Sequence, residues 1–159
     1  MCARLFERNR FCRTRYELGF PGLPKPFDGL AVAFLSDLHG KTFGEKNREL
    51  TEAVLDFGPD LLLIGGDNAT VKPHRKQDFS ALEGLLEGLG GRIPVYAGEG
   101  NHETRMRRKA GAYPGWHEAY EALLARHAVT ELKDSDALIE RNGSRIRIAG
   151  ITLERDQYL

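Results

Sequence analysis

Leu30-Ala31-Val32-Ala33-Phe34-Leu35-Ser36-Asp37-Leu38-His39-Gly40 decides how the rest of the chain is read. A short apolar run gives way abruptly to an acid, a histidine and a glycine. A run of this length suits a strand covered on both faces. Two later segments share the design. Leu61-Leu62-Leu63-Ile64 is followed by Gly65-Gly66-Asp67-Asn68, and Ile93-Pro94-Val95-Tyr96 leads to Gly98-Glu99-Gly100-Asn101-His102-Glu103. Pro94 stands near the start of its run, where a missing N–H is tolerated.

Helical spacing fills the gaps. Over 46–57, Leu50, Val54, Leu55 and Phe57 recur on one face, with Gly58-Pro59 as the stop. Over 78–89, Phe79, Leu82, Leu85, Leu86 and Leu89 do the same, and Gly90-Gly91 ends the segment. A third helix is expected over 116–127 and a short strand over 129–132. Residues 136–141 and 144–150 flank Asn142-Gly143, a dipeptide suited to the positive φ of a type I′ hairpin turn. Upstream, Arg13 to Gly19 alternates and reads as an edge strand, before Pro21, Gly22, Pro24, Pro26 and the Asp28-Gly29 turn break the chain. The pattern is α/β: a largely parallel sheet with right-handed crossovers, followed by an antiparallel hairpin. No internal repeat or low-complexity segment interrupts it.

The chain has 159 residues, and 41% are hydrophobic, enough for one domain with a core. Its 23 basic residues balance 23 acids, so no global field draws it to nucleic acid. Cys2 and Cys12 form no disulfide framework and suit a reducing compartment. No apolar run reaches the ~18 residues of a membrane span, and the expected location is cytoplasmic. Residues 1–12 form a basic lead-in. Arg4, Arg8, Arg10, Arg13 and Arg15, interleaved with Leu5, Phe6 and Phe11, leave open a peripheral membrane contact; a solvated basic segment is the plainer expectation.

The chemistry sits where the apolar runs stop, because sites in open α/β sheets form at the carboxyl ends of strands. Asp37, Asp67 and Asn101 stand 30 and 34 residues apart, one strand-and-helix unit each. Asp37 and His39 are two apart; on an extended backbone both point to one side and can share an ion. Asp67 has two oxygens with which to bridge two ions, and Asn101 offers a neutral amide oxygen. The adjoining glycines allow close approach. Imidazole and oxygen donors suit Mn, Fe or Zn. Asp-x-His alone is weak, being more often a capping acid beside a packed ring; Gly-Asp alone is weaker and usually marks a turn; Gly-Asn-His-Glu after a strand is moderately specific. Three together, each after a buried strand, make a strong signal.

These residues resemble the calcineurin-like metallophosphoesterase superfamily, whose signature is Asp-x-His, then Gly-Asp, then Gly-Asn-His-Asp/Glu. Here they stand as Asp37-Leu38-His39, Gly66-Asp67 and Gly100-Asn101-His102-Glu103. Leu35 to Gly40, Leu23 to Gly29 and Pro59-Asp60-Leu61 look like the bacterial branch that includes membrane-associated members. The resemblance implies a four-layer α/β/β/α fold, here partial: a mostly parallel first sheet and the first hairpin of the second. It implies two divalent metal ions. Asp37 and His39 would hold the first, Asp67 would bridge, Asn101 would hold the second, and His102 would hydrogen-bond or protonate the leaving oxygen. The implied reaction is in-line attack of a metal-bound hydroxide on a phosphate mono- or diester.

The family closes its site with a later lone histidine and a Gly-His-x-His motif, and neither stands in this sequence. The expectation is therefore a domain over 13–159, truncated at its C-terminus, with weak metal binding and apolar surface left by a half-built core. An inactive fragment or non-catalytic binding module is the competing interpretation, and a half-enzyme completed by another chain is a third. Asn68-Ala69-Thr70 and Glu99 depart from the commoner family pattern. Arg105 and Arg107, with Arg108 and Lys109, are candidates for forked binding of substrate phosphate, set evenly against a solvated face. His74 reads as exposed loop, and His117 and His127 as surface or packing residues. Trp116, Tyr113 and Tyr120 are expected to anchor their helix to the sheet.

Overall fold

The computed structural model describes residues 10–152, so the basic residues before position 10 and the last seven residues lie outside it. The apolar runs become β1 (Val32–Leu35), β2 (Leu61–Ile64), β3 (Val95–Gly98) and β4 (Thr130–Leu132), paired in parallel in the order β1-β2-β3-β4. The register aligns Phe34 with Leu63, Leu63 with Tyr96, and Tyr96 with Thr130. The connecting helices are α1 (Arg48–Phe57), α2 (Ser80–Leu89), α3 (Asn101–Arg108) and α4 (Trp116–Arg126).

In a sheet that grows one strand at a time in one direction, right-handed crossovers put the connecting helices on one face. The burial agrees. Leu62, Ile64, Val95 and Ala97 share a core with Leu50 and Val54 of α1, the leucines of α2, and Tyr120, Leu123 and Leu124 of α4. Tyr113 is buried in the same core and Trp116 packs against it, the anchoring role expected of them.

The hairpin of β5 (Ser135–Arg141) and β6 (Ser144–Gly150) forms a separate two-stranded antiparallel sheet. Asn142 and Gly143 turn it with φ of 48° and 76°, as the dipeptide predicts. On β1, Ala33 and Leu35 pack against the core, while Phe34, on the opposite face, is 65% exposed. The architecture is the partial sandwich expected from the sequence.

Three elements differ from expectation. Residues 13–19 are not a strand: the chain from Cys12 to Leu23 is exposed throughout and joins no ladder. The alternation is real, with Tyr16, Leu18 and Phe20 at 78%, 72% and 62% exposure, but no described sheet edge receives it. A strand needs partners for its N–H and C=O groups, and alternation alone supplies none. β3 starts at Val95 rather than Ile93, because Pro94 has no N–H to give the ladder. Helix α3 has no counterpart in the periodicity, and it carries part of the candidate site. Among the described residues, no helix is long and apolar enough to cross a membrane.

Candidate metal centre

The loops leaving β1 and β2 stay clamped together beyond the strands. Asp37 N–H donates to Gly66 O (3.1 Å), His39 N–H to Asp67 O (2.9 Å) and Gly40 N–H to Asn68 O (2.8 Å). Asp37, His39 and Asp67 all have left-handed backbones, with φ of 59°, 50° and 52°. Asp37 and His39 therefore do not converge by strand alternation, as their spacing suggested. A left-handed turn brings them together, with Asp37 Oδ1 3.6 Å from His39 Nε2. Non-glycine residues adopt this conformation at a cost and cluster at functional sites. Ser36 Oγ donates to Asp37 Oδ2 at 2.6 Å and fixes that carboxylate from behind.

The third rim element docks on Asp67. Gly100, the residue before α3, has no side chain with which to cap the helix. Asp67 Oδ1 caps it from outside, accepting from His102 N–H (2.8 Å), while Oδ2 accepts from Asn101 Nδ2 (2.9 Å). A carboxylate there also complements the helix dipole. The docking requires bare backbone on both sides: a Cβ on Gly66 would overlap the backbone of Gly100, and one on Gly100 would overlap Asp67.

One ligand atom each from His39, Asp67 and His102 lies within 4.8 Å of the others. The rings of His39 and His102 meet edge to face at 5.1 Å. Asp67 and His102 are buried and form the floor; Asp37, His39 and Asn101 stand exposed around them. His102 Nδ1 accepts a hydrogen bond from Val71 N–H (2.7 Å). A neutral ring held this way carries its proton on Nε2 and presents a donor rather than a lone pair. Burial pushes the ring below the ordinary histidine pKa, against the pull of Asp67.

A family model described as calcineurin-like phosphoesterase matches residues 30–153, a span containing all five of these side chains. The chain belongs to that family. Its fold is similar to that of a phosphopantetheinyl hydrolase from Mycobacterium tuberculosis, with a TM-score of 0.51 and 19% sequence identity. The likeness covers 77% of this chain and 42% of that one, so the chain spans less than half of its neighbour's length. No curated protein matches the sequence.

Within this phosphoesterase-family rim the two candidate arginines part company. Arg105 reaches the site side, with Nη1 on Val71 O (2.7 Å) and Nη2 3.5 Å from Asn101 Oδ1. Arg107 is turned away and forks onto Glu99 (2.8 and 3.2 Å). His74 is exposed, and His117 pairs with Glu121; neither belongs to the His39–Asp67–His102 group, nor does His127.

Sequence reasoning placed Glu103 in the third motif but gave it no role. It is fully buried and accepts from three backbone N–H groups, those of Asp67 (2.8 Å), Asn68 (3.0 Å) and Gly100 (3.0 Å). It ties the second rim loop to the third. Burial raises its pKa, while backbone N–H donors, those of Asp67 and Asn68 among them, pull the other way. The available signal was a Glu three residues after a helix N-cap, half of a capping box.

Proposed function

We propose that the cluster of Asp37, His39, Asp67, Asn101 and His102 binds divalent metal ions and hydrolyses phosphate esters. The observation that supports this is the meeting of three strand-end loops on Asp67, which touches Asn101 and His102 and lies beside His39. The donor set fits such ions: carboxylate and imidazole from Asp37 and His39 on one side, an amide oxygen from Asn101 on the other, and Asp67 between them. Asp67 uses each oxygen for one hydrogen bond and retains lone-pair capacity for ligation.

Bound there, divalent ions would acidify a water molecule and offset charge on the phosphoryl oxygens. The chain's own side chains do the rest. His102 offers Nε2–H to an oxygen of the ester, a role for a hydrogen-bond donor rather than a proton reservoir. Arg105 stands beside Asn101 as a cation for a phosphate oxygen. Val71 N–H holds the His102 ring in register. Arg107, engaged by Glu99, is left out of the substrate-binding set.

Titrating the purified chain with Mn²⁺ by calorimetry, and following a chromogenic phosphate mono- or diester, tests the proposal. Saturable binding and Mn²⁺-dependent turnover are expected, and Asp67→Ala should abolish both. Equal binding by the Asp67→Ala variant would remove Asp67 from the centre and end the proposal.

A further inference from the structure

We infer that Glu99 is a positioning residue, which locks α3 in the orientation that brings Asn101 and His102 onto Asp67. The inference rests on the metal-centre reading given above. Helix α3 has only eight residues, too short to hold itself in water, so its docking contacts set its direction. Its faces are tied separately. Asn101 and Arg105, one turn apart, face the site. Glu103 ties the inner face to the loop after β2. The back face carries Thr104 and Arg107, and both close on one carboxylate.

That carboxylate is Glu99. Its side chain is 1% exposed, and it receives the Arg107 fork, Thr104 Oγ1 (3.3 Å) and, more distantly, Lys133 Nζ (3.6 Å) from the turn between β4 and β5. Glu99 sits at the end of β3, immediately before Gly100. The acid thus joins the strand that launches α3, the back of α3 itself, and the corner leading to the hairpin. Buried charge of this kind persists only when paired. A forked guanidinium fixes direction as well as distance. Rotation of α3 would break the fork on one face and lift His102 N–H from Asp67 on the other.

The test compares wild type with Glu99→Gln and Arg107→Lys, which keep volume or charge but lose the charged fork. Two readouts apply: Mn²⁺ affinity by calorimetry and hydrogen exchange at the His102 amide. The expected result is Mn²⁺ binding weakened ~10-fold, the lower range for residues that orient metal ligands. The His102 amide should exchange faster, with α1 and α2 amides unchanged. A uniform rise in exchange across all helices, or unchanged affinity and His102 exchange despite a lower Tm, would overturn the inference. Should wild type take up no Mn²⁺, the metal-centre proposal fails, and the His102 exchange comparison still decides the role of Glu99.

Discussion

At the scale of single residues, the chemistry of His102 depends on which nitrogen carries its proton. Val71 N–H occupies Nδ1, and burial depresses the ring's pKa. Nitrogen-15 NMR at neutral pH should show a protonated Nε2 and a bare Nδ1, with imidazolium appearing only below the ordinary histidine range. Imidazolium at pH 7 would contradict this assignment. Glu103 makes a second prediction. Glu103→Gln places an amide among three N–H donors and leaves at least one buried donor unsatisfied, a cost of about 1–3 kcal/mol. Urea unfolding measures it, and a change within error would refute the triple-acceptor role. Asp37, His39, Asp67, Asn101 and His102 were readable as candidates because each stands in a short motif after an apolar run. Two of the partners of Glu103, the Asp67 and Asn68 N–H groups, were not legible, because they lie on a loop distant in sequence. The Glu99–Arg107 pair was hidden for another reason: it exists only once the intervening residues coil into a helix.

Among the elements, α3 shows how a helix escapes sequence reading. Asn101 to Arg108 buries Met106 as its one apolar side chain, so no hydrophobic period marks it, and its cap comes from Asp67 on another loop. The longer helices announce themselves because their leucines face the core. The start of α2 carries a local device of the usual kind. Asp78 Oδ1 accepts from Ser80 N–H (3.0 Å) and Ser80 Oγ (2.6 Å), which lower its pKa below the usual aspartate value. Asp78→Ala should cost about 0.5–1.5 kcal/mol at neutral pH, the net worth of a typical hydrogen bond. The group's folded pKa is depressed, so its contribution is present above the unfolded aspartate pKa of about 3.9 and fades as pH falls through the folded value. Wild type and variant should therefore converge in acid during thermal unfolding. A gap that widens toward low pH would refute the assignment. The lead-in at 13–19 has the opposite lesson: alternation without a neighbouring edge makes no strand.

Across the whole molecule, the helices cover one face of the parallel sheet and leave the other incompletely covered. Phe34, together with Tyr16, Leu18 and Phe20, presents large apolar side chains to water. Exposed apolar side chains promote association. Sedimentation velocity on the chain should show concentration-dependent self-association, reduced by Phe34→Ser; identical profiles for the two would show that this face is inert. The α/β class was readable from the alternation of apolar runs and helical periods; the strand order was not, because the same alternation also suits sheets that grow outward in both directions.

The sequential order of the strands also bears on how the chain folds. In the parallel sheet, each strand lies beside the one before it in the chain, so each pairing closes a loop of only about 30 positions. Closure entropy is modest and similar at every step, and folding can advance unit by unit from the first strand onward. The rim of the candidate metal centre then assembles in stages. Asp37, His39 and Asp67 come together with the first pairing, but the ring nitrogen and the amide arrive only with the second.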